Sequence, residues 1–139
     1  MPPKDKARVR FAGYAAVFNA LDRGGDVIRP GAFAQSLKTI SAIPLLWQHK
    51  GGQVVGRIDE VSEDKRGLRV IGSLDTTLAG AWLSSQVRRR LIDGLSFGYQ
   101  VRKSKQADGV RELLALDLVE ISVVARPMQP LARIHAVEG

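Results

Sequence analysis

The sequence predicts an α+β fold: a small mixed β-barrel of about seven strands with two or more flanking helices. Three observations lead there. Short stretches that alternate apolar and polar residues recur along the chain, separated by turns bearing glycine, aspartate and proline. Two other stretches place apolar residues at helical spacing. The strands do not alternate regularly with these helices, which argues against a doubly wound parallel sheet. With 139 residues, the chain can bury a core as one domain, 1–139. Residues 1–7 read as a flexible N-terminus and 131–139 as a flexible C-terminal tail, with His135 a mobile surface residue in it.

In chain order, "RVRFAGYAAVF" (8–18) alternates as a strand, and "NALDRGG" supplies a turn. "DVIRPGAF" is a short extended piece, and Phe33, Leu37 and Ile40 give residues 32–40 the spacing of a short helix. Three neighbouring strands follow, in "AIPLLWQHKGG", "QVVGRIDEVSED" and, after the Lys65-Arg66-Gly67 turn, "GLRVIGSLD". Residues 76–92 form the longer helix, with Thr76 or Thr77 as N-cap and Ala79, Trp82, Leu83, Val87 and Leu91 on its inward stripe. Arg88, Arg89 and Arg90 fall in its last turns, where cations suit the negative end of the helix dipole, so they read as a solvated helix end. "DGLSFGYQV" (93–101) is the next strand, with Leu95, Phe97, Tyr99 and Val101 on one face and Ser96, Gly98 and Gln100 on the other. After a turn at 106–109, "VRELLALDLVEISVVA" is apolar on both faces, as a central strand would be, and Pro127 and Pro130 end it.

Composition narrows the chemistry. The absence of cysteine excludes disulfide frameworks, thiolate nucleophiles and cysteine zinc sites. No apolar run is long enough to cross a bilayer and the N-terminus has no signal-like apolar region, so a soluble, non-secreted protein is expected. The formal charge of +7 is compatible with nucleic acid, an acidic protein partner or solubility alone. With 6% aromatic residues, the chain is a poor stacking platform for single strands.

Three residues stand out. Ser96 is a small hydroxyl on a strand, and Gly98, on the same face, leaves room for another backbone to approach. His49 closes a buried strand where it meets the Lys50-Gly51-Gly52 turn, a position suited to a general base or to a structural histidine. Glu120 interrupts the apolar "LVEISVV" and needs a donor, which a histidine ring or one of the many arginines can supply. Together they contain a nucleophile, a base and an orienting acid. There is no G-x-S-x-G elbow, which excludes an α/β-hydrolase.

The succession "FAGYAAVFNALDRGGDVIRPGAF", "IPLLWQH", "VGRIDEVSEDKRGLRVIGSLD", "LIDGLSFGY" and "LDLVEISVVARPMQPLARI" resembles the prohead proteases of tailed bacteriophages, relatives of the herpesvirus assembly protease. The resemblance implies a herpesvirus-protease-like barrel and a serine endopeptidase of head maturation. Its substrates would be scaffold and the scaffolding segment of the major capsid protein, inside the immature prohead in the bacterial cytoplasm. It also implies self-cleavage and a homo-oligomer of two or more copies, with no metal, cofactor or membrane. His49 is implied as base and Ser96 as nucleophile. Glu120 matches the acidic position, with Asp117 and Asp75 as alternatives, and Arg126, ahead of Pro127, matches an arginine loop that helps form the oxyanion hole. The alternatives from other classes are a non-catalytic basic barrel that binds nucleic acid and an inactive structural component of the head.

Overall fold

A computed structural model describes residues 8–76 and 78–139. The expected flexible N-terminus (1–7) and Thr77, one of the two N-cap candidates, lie outside the described residues. The elements are β1 (Arg10–Val17), β2 (Asp26–Ile28), α1 (Ala34–Thr39), β3 (Pro44–Trp47), β4 (Val54–Glu63), β5 (Gly67–Leu74), α2 (Leu78–Arg88), β6 (Gly94–Ala107), β7 (Val110–Val124) and β8 (Ile134–Glu138).

All eight strands belong to one mixed sheet in the order β2-β7-β3-β4-β5-β1-β8, with β6 on the other edge of β7. The three strands expected to be neighbours, β3, β4 and β5, pair antiparallel in sequence. The central strand is β7, whose apolar character on both faces had marked it as such. Its first half takes β2 as a parallel partner and its second half takes β3, again parallel, while β6 runs antiparallel along its opposite edge.

The sheet curls until its ends meet. Tyr14 N–H of β1 donates to the Arg133 carbonyl (3.1 Å), and Leu95 N–H of β6 donates to the Ala132 carbonyl (3.0 Å), so residues 132–134 bridge β1 to the start of β6. Gly13 permits this, because a Cβ there would lie 2.3 Å from the Arg133 oxygen. Inside the curl, Phe11, Leu45, Leu68, Val70, Leu95 and Ile121 are buried in one core with Phe33 and with Leu83 and Val87 of α2. Burying each such large side chain contributes about 1.5–3 kcal/mol.

Four expectations need correction. Residues 131–139 are not a tail: β8 pairs antiparallel with β1, from Arg10 opposite Glu138 to Gly13 opposite Ile134. It covers an edge of β1 that would otherwise present unpaired backbone groups. Arg88 donates to the Gly139 carbonyl, and Arg90 to those of Ile134 and His135, so these arginines strap β8 rather than merely solvate a helix end. The inward stripe of α2 is Gly80, Leu83, Ser84 and Val87, whereas Ala79, Trp82 and Leu91 face outward. Trp82 instead packs edge-on against Trp47, with ring centroids 5.4 Å apart, and this contact covers one side of an otherwise exposed indole. Finally, β6 continues past Val101 into a long ribbon with β7, and Val101 is exposed there because the ribbon has left the barrel.

Candidate active site

Parallel pairing of β3 with β7 places Trp47 beside Val123, so the chain leaving β3 runs over the end of β7. There Gln48 and His49 both adopt left-handed backbone conformations, with φ of 54° and 62°, which non-glycine residues keep only when the surroundings hold them. Three hydrogen bonds do so. Gln48 N–H donates to the Val123 carbonyl (3.0 Å), Ala125 N–H donates to Gln48 Oε1 (2.8 Å), and His49 N–H donates to Ser122 Oγ (3.1 Å).

The turn directs the His49 ring onto Glu120. Nδ1 of His49 is hydrogen-bonded to Glu120 Oε1, and Ser122 Oγ donates to Glu120 Oε2 (2.6 Å). A carboxylate accepts, so Nδ1 is the donor of this bond and Nε2 is the ring nitrogen that Glu120 leaves unengaged. The Glu120 side chain is 10% exposed and that of His49 is 44% exposed, so the carboxylate is buried while the imidazole opens to solvent.

β6 brings in the third group. Its register sets Ser96 opposite Ser122 and Gly98 opposite Glu120. A Cβ on Gly98 would lie 2.6 Å from Glu120 Oε1, so the space expected to admit another backbone is filled by the Glu120 carboxylate. Among the described residues no hydrogen bond holds the Ser96 hydroxyl. Ser96 and His49 line the same cavity of about 430 Å³, with Phe97, Val124 and Met128 as apolar wall and Arg126 at the rim. Tyr99, also lining it, has its phenol held above the ordinary value by burial and by the Asp26 and Asp22 carboxylates.

The structure thus gathers Ser96, His49, Glu120, Gly98 and Arg126 at one end of the barrel. It does not bring the alternative acids there: Asp117 pairs with Arg102 (3.0 Å) and Asp75 with Arg8 (3.8 Å). His135 is a surface residue as expected but sits in strand β8, not in a mobile tail; its ring lies against Tyr14, and partial desolvation beside Arg66 and Arg90 lowers its pKa. The sequence places Ser122 within the apolar strand without the glycine-cleared setting of Ser96, and neither its bonds to Glu120 and His49 nor the role of Gln48 was legible there. A signal for Ser122 existed, since Glu120 and Ser122 are two apart on a strand and share a face.

The class that fold and site define is a mixed-barrel protein whose one cavity is lined by a serine hydroxyl and an imidazole, the imidazole bonded in turn to a buried carboxylate, the residue types of acyl-transfer chemistry. Residues 2–139 match the family model described as caudovirus prohead serine protease, and the chain belongs to that family. It is 38% identical over 96 residues to the prohead protease of Enterobacteria phage HK97, covering 67% of this chain and 43% of that protein. It is 30% identical over 129 residues to the capsid polyprotein of Pseudomonas phage PAJU2, covering 85% of this chain and 18% of that protein. The chain therefore spans less than half the length of these relatives. Among solved structures it is similar to the bacteriophage T4 capsid assembly protease, with a TM-score of 0.66, 13% identity and coverage of 83% and 80% of the two chains. It is also similar to the Kaposi's sarcoma herpesvirus protease, with a TM-score of 0.56, 12% identity and coverage of 94% and 77%. The expected barrel fold and family are both found.

Proposed function

We propose that this chain is a serine endopeptidase of phage head maturation that acts inside the immature prohead in the bacterial cytoplasm, on scaffold and the scaffolding segment of the major capsid protein. One observation carries the reading: His49, bonded through Nδ1 to the buried Glu120, lines the same cavity as Ser96. Family membership supports it.

In this reading Ser96 Oγ attacks the scissile carbonyl while His49 Nε2 takes its proton and returns it to the leaving amine. Glu120 holds the Nδ1 proton, fixes the tautomer and stabilises the imidazolium that forms. Arg126, exposed at the rim, supplies positive charge toward the developing oxyanion. Among the described residues β6 has no strand partner beyond Leu95 on the edge away from β7, which suits an extended substrate added as a strand beside Ser96. The +7 charge favours an acidic substrate. Self-cleavage and a homo-oligomer belong to the same reading.

The test is co-expression with the major capsid protein of the same phage. Processing should appear as a mass shift with the parent chain and be absent with Ser96→Ala. Equal processing by both chains would place the nucleophile elsewhere.

A further inference from the structure

We infer that Ser122 is a positioning residue for the His49–Glu120 pair, an inference that rests on the function proposed above. Ser122 is fully buried, and its hydroxyl uses both of its capacities inside the site. As donor it binds Glu120 Oε2 (2.6 Å), and as acceptor it receives the backbone N–H of His49 (3.1 Å). One side chain therefore fixes both the rotation of the acid and the backbone that carries the base.

The contact to His49 matters because of the backbone there. Two consecutive non-glycine residues, Gln48 and His49, are left-handed, a conformation that relaxes once its restraints are removed. Gln48 retains its own bonds to Val123 and Ala125, so removing the Ser122 hydroxyl would free His49 specifically. On the acid side, the niche beside Gly98 limits where the carboxylate can sit but does not orient it. The hydroxyl does, by occupying Oε2 and leaving Oε1 for the imidazole. Ser122 also stands directly opposite Ser96 across the β6–β7 ladder, so all three proposed groups are arranged around it.

A merely structural serine would satisfy a buried neighbour without affecting the chemistry. The full chain separates the two roles through Ser122→Ala and through the isosteric pair Ser122→Thr and Ser122→Val, which differ in the hydroxyl alone. Two readouts apply: the rate at which a fluorophosphonate labels Ser96, located by mass spectrometry, and the NMR signal of the His49 Nδ1 proton. Ser122→Ala should slow labelling about 10- to 100-fold, the cost of a small misplacement of reacting groups, and broaden the ring-proton signal through exchange with water. Ser122→Thr should restore both and Ser122→Val neither. Parental labelling and an intact ring-proton signal in Ser122→Ala, or identical behaviour of the Thr and Val variants, would overturn the inference. If Ser122→Ala does not fold, the Thr and Val comparison decides. If the parent itself is not labelled at Ser96, the nucleophile assignment fails, and the ring proton still decides the role of Ser122.

Discussion

Strand β7 carries two equally buried carboxylates, Glu112 near its start and Glu120 near its end, with 8% and 7% of their surfaces exposed. Their partners differ in kind. Glu112 is paired with Arg29 and Lys105, and the Arg29 hydrogen bond, with both cations nearby, holds its carboxyl below the usual glutamate range. Glu120 has His49 and Ser122. A guanidinium stays charged at every accessible pH, so the Glu112 pair can only hold β7 to the segment after β2. An imidazole exchanges its proton under mild conditions, so the Glu120 pair can take part in proton transfer. Burial of a carboxylate therefore does not mark a site; the partner does. The sequence allowed an arginine partner for Glu120, and the structure gives that partner to Glu112.

Under the proposed function, the largest effect is expected at Ser96, the proposed nucleophile. Ser96→Ala should fold normally and reduce processing to the residue left by binding and oxyanion stabilisation, as measured by the rate of capsid-protein cleavage. Next comes a direct contrast of the two acids. Glu120→Gln should keep the shape but remove the charge that stabilises the imidazolium, lowering turnover by about 10³- to 10⁴-fold. Glu112→Gln should leave turnover intact and lower the thermal midpoint. If the two substitutions exchanged these effects, the functional distinction between the carboxylates would collapse.

Gly98→Ala sharpens the same contrast through geometry. Its Cβ would crowd Glu120 Oε1 at 2.6 Å, so turnover should fall by about 10²-fold as the carboxylate is displaced from His49. Steady-state kinetics on a folded preparation would show whether the loss lies in turnover.

A smaller effect is expected from acid. The Glu112 carboxyl titrates lower in the fold than in the unfolded chain. Its contribution to stability is therefore complete above the unfolded value, near pH 4.3, and is lost as pH falls through the folded value. Hydrogen exchange should show residues around Arg29 and Glu112 losing protection on acidification in the parent, and Glu112→Gln should abolish this pH dependence. The least effect is expected from His135→Ala, because His135 faces Tyr14 on β8, away from the cavity. A large loss of turnover in that variant would mean that His135, and not His49, is the base.

The sequence by itself determined the period of several elements: alternation along β1 and the start of β6, the apolar run of β7, and the helical spacing of α2. It also singled out Ser96, His49 and Glu120, because a hydroxyl, an imidazole and a carboxylate in apolar strands or at their ends stand out locally. Period is a local property, written into a few consecutive side chains. Only the tertiary structure decided which surfaces meet. The rotation of α2 that turns Trp82 outward depends on Trp47, and the ordering of residues 134–138 depends on a free edge of β1 and on arginines from the end of α2. The bond between Ser122 and the His49 backbone exists only because β3 and β7 pair in parallel across a long sequence separation. Such partners are chosen by the burial and hydrogen bonding of the whole assembled sheet, to which no single stretch of sequence corresponds.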